Sequence, residues 1–152
     1  MRLLAIGDLH VGHRTNREAL RALPPHPDDW LILAGDLGET EAHLRLVLDH
    51  VVPRFARVLW VPGNHELYVT GKDPLQLRGE ARYHHFVEVC RSYGVATPED
   101  PWPAFPGPDG PVVIALLFLL YDYSFAPDGL DPEGARTWAR DLGILPTDER
   151  LL

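Results

Sequence analysis

Hydrophobic and polar positions alternate between two patterns along the chain. Three short runs of apolar and β-branched residues predict strands at residues 2–6, 30–34 and 57–61. The stretches between them are longer and have helical periodicity, which is clearest in residues 40–55. The apolar positions of that stretch fall on one helix face: Leu44, Val47, Leu48 and Val51. This alternation predicts an α/β fold, with a largely parallel β-sheet core and flanking helices.

Capping and turn residues define further elements. Thr15 and Glu18 have the spacing of a capping box and predict a short helix through Leu23. A helix is expected at residues 80–93, with Gly94 closing it and a short strand following near Val95.

The last third of the chain is predicted from its prolines and its apolar run. Residues 98–111 contain six prolines and two glycines, which favours an irregular surface loop. Residues 112–120 are nearly all apolar without alternation, which predicts a strand covered on both faces. Asp131 and Pro132 predict the start of a last helix, and Gly143 its end.

Length and composition indicate one ordinary globular domain. The chain has 152 residues, 45% of them hydrophobic and 24% charged. Its formal net charge of -8 argues against a broad basic surface for nucleic acid, so that nucleic acid is considered only as a substrate. The single cysteine, Cys90, excludes an internal disulfide and is expected to be a buried, inert thiol.

The N-terminus and the apolar runs bear on location. Met1 and Arg2 lead directly into the first strand, without the apolar region of a secretory signal, so we expect a cytoplasmic protein. The longest apolar run, residues 112–121, is about half of the roughly 20 residues that a membrane-spanning helix needs. We therefore expect no membrane partner.

Each of the three predicted strands is followed by a glycine and a polar residue. These pairs are Gly7-Asp8, Gly35-Asp36 and Gly63-Asn64, and successive glycines are 28 positions apart. Because parallel strands joined by helices end at the same edge of a sheet, Asp8, Asp36 and Asn64 are expected to meet there. His10 and His65 join this set, since they stand next to it in sequence. Carboxylate, imidazole and amide ligands suit Mn, Fe, Zn or Ni, whereas the lack of a cysteine cluster argues against a thiolate zinc site.

Together these residues resemble the first three signature blocks of the calcineurin-like metallophosphoesterases. The blocks are Asp8-x-His10, Gly35-Asp36 and Gly63-Asn64-His65-Glu66, in the family's order. The resemblance implies two divalent metal ions, with Asp8 and His10 on the first, Asp36 bridging both and Asn64 on the second. It further implies that His65 lies beside the substrate phosphate and assists the leaving group. A hydroxide bridging the two ions would then attack a phosphomonoester or a phosphodiester.

The family pattern continues beyond these blocks with a lone histidine and a Gly-His-x-His block. The last of the eight histidines here is His85, so neither follows in this chain. His84 and His85 fall within a predicted helix and are left out of the site. We therefore expect residues 1–152 to be a single, truncated domain, the N-terminal portion of the family's four-layer αββα sandwich. The apolar run at residues 112–120 would then be exposed and would favour a homodimer.

Three function classes follow from these observations. The first is a metal-dependent phosphoesterase acting on a phosphorylated substrate. The second is a non-catalytic remnant that serves as a metal-binding or protein-interaction module, which the missing histidines favour. The third, a Rossmann-like phosphate-binding domain, is disfavoured because no glycine turn spells Gly-x-Gly-x-x-Gly.

Overall fold

Strands and helices alternate through the first two thirds of the chain. A computed structural model describes residues 1–71, 73–144 and 147–152. The strands are β1 (Leu3–Ile6), β2 (His26–Ala34), β3 (Phe55–Val61), β4 (Ala104–Gly107) and β5 (Gly110–Val113). The helices are α1 (Arg14–Arg21), α2 (Glu41–Val51), α3 (Gly79–Ser92), α4 (Pro132–Asp141) and α5 (Asp148–Leu151), with 3₁₀ turns at Val52–Arg54 and His65–Leu67.

The central sheet has the order β1-β2-β3, and its strands are all parallel. Ile6 pairs with Leu33, and Leu33 pairs with Trp60, so the three strands end close to the same level. The α/β prediction with a parallel sheet is thereby confirmed. The strand predicted near Val95 is reduced to one parallel bridge between Leu59 and Ala96.

The two faces of the sheet bury different partners. Successive side chains of β2 lie on alternate faces of the sheet. Leu31 and Leu33 belong to the main core with α1, α2 and α3, whereas Trp30 packs with Phe105 and Leu116 on the other face. The sheet therefore lies between a helical layer and a layer formed by the β4–β5 hairpin and the segment after it.

Cys90 on α3 lies in the main core and is completely buried. Burial raises the pKa of its thiol, because the thiolate would lose its hydration. The expectation of a buried thiol is confirmed, and its raised pKa accounts for the inertness that we expect.

The helix ends confirm several of the predicted caps. Thr40, which was not among the predicted caps, precedes α2 and accepts a hydrogen bond from the backbone N–H of His43 at 3.2 Å. Asp131 caps α4 by accepting from the backbone N–H of Gly134 at 2.7 Å. Gly94 and Gly143 both have a positive φ just after a helix, as predicted.

The predicted capping box of α1 is wrong. The helix begins at Arg14, so Thr15 lies inside its first turn, and the N-cap residue is His13, which makes no side-chain cap bond. Glu18 instead accepts a hydrogen bond from the Arg14 guanidinium at 2.9 Å, one turn earlier. With the N-cap at His13, the third helical position is Asn16, so Glu18 lies two residues beyond the position that a capping box requires.

The irregular loop predicted at residues 98–111 contains regular structure instead. β4 and β5 form an antiparallel hairpin in which Gly107 pairs with Gly110 around a two-residue turn. Pro108 and Asp109 occupy that turn, which suits their backbone preferences. The proline and glycine content thus marks a tight turn between two short strands.

The strand predicted at residues 112–120 is also wrong beyond its first two residues. Val112 and Val113 end β5, and residues 114–120 have no regular secondary structure. Ile114 donates its backbone N–H to Pro103, but Pro103 has no N–H to return, so the ladder stops there. Leu116 is buried, whereas Leu119 is 82% exposed. Among the described helices, none is both long and apolar enough to cross a bilayer.

Candidate metal centre

The loops after β1 and β2 run side by side at the carboxyl edge of the sheet. The backbone N–H of Asp8 donates to Gly35 at 3.1 Å, and that of His10 donates to Asp36 at 3.0 Å. These bonds continue the pairing of the two strands beyond their ends. The expectation that the strand-end residues share one edge is confirmed.

Three of the predicted site residues come together there. His10, Asp36 and His65 each offer one ligand atom, and these atoms all lie within 4.8 Å of one another. The imidazole rings of His10 and His65 meet edge to face, with centroids 4.5 Å apart. All three residues are half-buried, so the cluster is open to solvent on one side.

Asp8 and Asn64 flank this cluster. The Asp8 carboxylate is 84% exposed, and its Oδ1 lies 3.7 Å from Nε2 of His10. Asn64 precedes the 3₁₀ turn at His65–Leu67, and its side-chain nitrogen donates to Tyr68 and Asp148. The structure therefore places Asp8 beside the cluster and directs the Asn64 amide nitrogen toward other partners.

The backbone at these positions adopts an unusual conformation. Among the described residues other than glycine, positive φ angles occur at Asp8 (53°), His10 (40°), Asp36 (55°) and Tyr123 (66°). The left-handed region is unfavourable for residues with a side chain. Residues that adopt it are found preferentially at functional sites. Three of the four fall on residues predicted to bind metal.

Two glycines allow the loops after β2 and β3 to touch. Gly35 has a φ of 81°, and a Cβ there would lie 2.5 Å from the backbone nitrogen of Gly63. A Cβ on Gly63 would overlap Oδ1 of Asp36. Both positions therefore require glycine. A side chain at Gly35 would collide with the backbone of the other loop, and a side chain at Gly63 would collide with the Asp36 carboxylate.

The buried side chain of Glu66 connects these two loops. Its buried carboxylate accepts three backbone N–H groups, from Asp36 at 3.0 Å, Leu37 at 2.7 Å and Gly63 at 2.8 Å. Burial raises the pKa of Glu66, and the three N–H bonds oppose that rise by favouring the charged form. One carboxylate thus fixes the ends of both strands.

Arg82 on α3 connects the same loops to the helical layer. Its fully buried guanidinium donates to the backbone oxygens of Glu66 at 2.6 Å, Glu39 at 2.7 Å and Leu75 at 3.2 Å. It also pairs with the buried carboxylate of Asp73 at 2.7 Å. The buried charge is therefore both paired and hydrogen-bonded.

Glu39 and Tyr68 contact the candidate catalytic histidine. Oε1 of Glu39 lies 3.4 Å from Nδ1 of His65, and the Tyr68 ring packs on the His65 ring with centroids 4.4 Å apart. A partner on Nδ1 sets the ring orientation and leaves Nε2 for other contacts. Burial, followed by the bond to Asp148, raises the pKa of Tyr68 to about 12, so its hydroxyl stays protonated.

The comparisons with known proteins identify the family. A sequence model described as calcineurin-like phosphoesterase matches residues 1–140. The chain belongs to this family.

Two matches are to the same phosphoesterase of Mycobacterium tuberculosis. The chain is 48% identical over 153 residues to its [acyl-carrier-protein] phosphodiesterase PptH, covering 99% of this chain and 47% of that protein. The crystal structure of phosphopantetheinyl hydrolase (PptH) from this organism matches with a TM-score of 0.92 and 47% identity, over 99% of this chain and 55% of that one. This calcineurin-like phosphoesterase chain thus spans about half the length of the relative it matches.

Several residues that contact the site were not among the predicted site residues. Glu39 follows Asp36 by three residues and Tyr68 follows Asn64 by four, so their proximity in sequence was a usable signal. Asp148 lies 84 residues from Asn64, and no local pattern connects them. His84 and His85 do lie on α3, where they pair with Glu80 and Glu41, and neither belongs to the cluster of His10, Asp36 and His65.

A large cleft lies beyond Asp148. It has a volume of about 1130 Å³ and lies between residues 120–127 and α4. Its lining is largely apolar, with Phe125 and Trp138, and also includes Arg140 and Asp148. Through Asp148 the cleft is connected to the Asn64 side of the cluster.

His43 packs against the loop that follows β2. We expect its imidazole to make the stability of the fold depend on pH. Its Nδ1 accepts the backbone N–H of Glu39 at 3.3 Å, and burial lowers the pKa of its imidazole. Below its ordinary pKa of about 6.5, the unfolded chain binds a proton that the folded chain resists, so stability is lost as pH falls. We expect the free energy of unfolding in urea to fall below pH 6.5, and to fall less steeply in His43→Asn.

Asn at this position can accept the same N–H through Oδ1 but does not titrate. His84→Asn, at a half-exposed position of α3, is the matched control. An equal pH slope in His43→Asn and the unmodified chain would contradict this assignment.

Proposed function

We propose that this calcineurin-like phosphoesterase chain hydrolyses a phosphodiester with the help of two divalent metal ions. The observation that carries the proposal is the cluster of His10, Asp36 and His65 at the carboxyl edge of the sheet. Asp8 and Asn64 are the proposed additional ligands, Asp36 the bridging ligand and His65 the catalytic residue. Similarity to a phosphodiesterase of the same family supports this reaction.

The charges of the site fit metal ions. Asp8, Asp36 and Glu39 bring three carboxylates close to the two imidazoles, and this negative charge would repel an anionic phosphate. Imidazole nitrogen and carboxylate oxygen are the donors that Mn, Fe, Zn and Ni share, and we propose Mn as the first ion to test. Such a pair of ions supplies a reactive water at neutral pH and neutralises the phosphate charge.

His65 is proposed to complete the reaction. As water adds to phosphorus and the bond to the leaving oxygen breaks, that oxygen requires a proton. Glu39 on Nδ1 leaves Nε2 of His65 as the proton donor. The products are a phosphomonoester and an alcohol.

The proposed substrate is a carrier protein that bears a phosphopantetheinyl group. This proposal rests on the names of the relative, which describe an acyl-carrier-protein phosphodiesterase and a phosphopantetheinyl hydrolase. The cleft of about 1130 Å³ next to Asp148 is large enough for a long, flexible arm of that kind. Its lining combines apolar side chains such as Trp138 with the charged side chains of Arg140 and Arg150.

Residues 1–152 are proposed to be one portion of a larger domain, which agrees with the roughly half coverage of the relative. Exposed apolar side chains after β5, such as Leu117, Leu119 and Phe125, support a homodimer through that surface. The unpaired, buried thiol of Cys90 fits a cytoplasmic location.

The test is hydrolysis by the purified 152-residue chain. A phosphopantetheinylated carrier protein is compared with a chromogenic diester and a chromogenic monoester, each with Mn²⁺ or after chelation. We expect metal-dependent turnover of both diesters, with the lower KM for the carrier protein, and loss of turnover on chelation that Mn²⁺ restores. Light scattering of the same sample determines whether the active species is a dimer.

The non-catalytic alternative predicts a different result. A chain that binds Mn²⁺ but turns over none of the three substrates would be a metal-binding or interaction module. Turnover that persists after complete chelation would contradict the metal-dependent mechanism.

A further inference from the structure

The side chain of Asn64 is held by two residues on its nitrogen side. Nδ2 donates to Oδ1 of Asp148 at 2.6 Å and to the Tyr68 hydroxyl at 2.9 Å. The Tyr68 hydroxyl in turn donates to the same Asp148 oxygen. The three side chains form a closed ring of hydrogen bonds next to His65.

A carboxylate selects one orientation of an amide. An ionised Asp148 can only accept hydrogen bonds, so it can face Nδ2 of Asn64 but not Oδ1. Only the amide oxygen can act as a metal ligand, because the amide nitrogen has no available lone pair. Rotating the amide by 180° would therefore both break the bond to Asp148 and present the wrong atom as a ligand.

Tyr68 reinforces this selection from a second direction. Its hydroxyl bonds to both Asn64 and Asp148, and its ring packs on His65. The Tyr68 ring therefore connects the candidate ligand with the candidate catalytic histidine.

We propose that Asp148, together with Tyr68, is a positioning residue that keeps Oδ1 of Asn64 turned out as a metal ligand. The proposal rests on the metal site of the proposed function and adds to it a residue 84 positions away in sequence. Partners behind metal ligands typically change metal affinity 10–100-fold when they are removed. Asp148 acts through Asn64 and is not itself a ligand in this proposal.

The experiment measures Mn²⁺ binding to the full 152-residue chain by calorimetry and electron paramagnetic resonance. Asp148→Asn is expected to raise the Mn²⁺ dissociation constant about 10-fold, because the amide that it introduces can pair with either atom of the Asn64 amide. Asp128→Asn removes the same charge from an exposed loop and is expected to leave the dissociation constant unchanged. Thermal unfolding of each variant shows whether the fold is kept. We expect it to be kept, because the backbone N–H of Val69 donates to the backbone oxygen of Leu151 and this bond does not involve the Asp148 side chain.

A second background separates positioning from a purely structural role. In Asn64→Asp the ligand has two equivalent oxygens, so no orientation has to be selected. Asp148→Asn is then expected to cause no loss of Mn²⁺ affinity, and a gain where it removes repulsion between the two carboxylates. A structural role of Asp148 predicts the same 10-fold loss in both backgrounds.

The results distinguish this proposal from the proposed function. Equal losses of Mn²⁺ affinity in the two backgrounds, or no loss in either, would overturn the positioning role. Failure of the unmodified chain to bind Mn²⁺ would overturn both proposals. Mn²⁺ binding with the expected dependence on Asp148, but without hydrolysis, would overturn only the catalytic function.

Discussion

Replacing Asp36 by Asn is expected to lower the metal-dependent kcat/KM for a diester at least about 100-fold, or roughly 2.7 kcal/mol in activation free energy. Asp36 lies in the cluster with His10 and His65, and its carboxylate is the proposed bridge between the metal ions. An amide has one neutral ligand oxygen where the carboxylate has two charged ones. Asn can still accept the backbone N–H of His65, which Oδ1 of Asp36 accepts at 3.1 Å, so the fold is expected to survive.

The matched control is Asp28→Asn. Asp28 lies in β2, near the end of the strand opposite to the cluster, and is exposed to solvent. Steady-state rates and bound metal are measured for both variants. Equal activity of Asp36→Asn and Asp28→Asn would show that the cluster is not the catalytic site.

Replacing Glu66 by Gln is expected to destabilise the fold by roughly 2–3 kcal/mol. The carboxylate accepts three backbone N–H groups from the loops after β2 and β3. A Gln amide directs its NH₂ group at one or two of these donors in either orientation, which leaves them buried without an acceptor. For a chain of this size the loss corresponds to a decrease in Tm of about 4–12 °C.

Urea unfolding and differential scanning calorimetry measure this loss. Glu80→Gln, whose side chain is largely exposed on α3, is the control and is expected to change stability little. A Glu66→Gln variant as stable as Glu80→Gln would contradict the assignment of Glu66 as the residue that fixes both loops.

The parts of the fold that depend on local periodicity could be predicted from the sequence. The buried face of α2 and the Asp131 cap of α4 follow from residues within one or two turns of each other. The convergence of Asp36 and His65 could also be predicted, because parallel strands joined by helices end at one edge.

The parts that depend on pairing between distant residues could not be predicted in this way. Residues 112–120 are apolar enough for a strand, but the missing N–H of Pro103 ends the ladder after Val113. Similarly, nothing in the sequence around Asn64 indicates Asp148 as its partner, since that contact depends on how the end of the chain packs. Hydrogen bonds within a helix join residues that are close in sequence, whereas the bond from Asn64 to Asp148 joins residues that are far apart.

The left-handed backbone at Asp8, His10 and Asp36 has a consequence for how this protein could be stabilised by design. Glycine at any of these positions would relieve backbone strain of about 1 kcal/mol or more. It would also delete a side chain from the cluster or its rim. Thermal stability and metal binding are therefore in direct competition at these three residues, and a variant selected only for heat resistance would be expected to lose the ligands first.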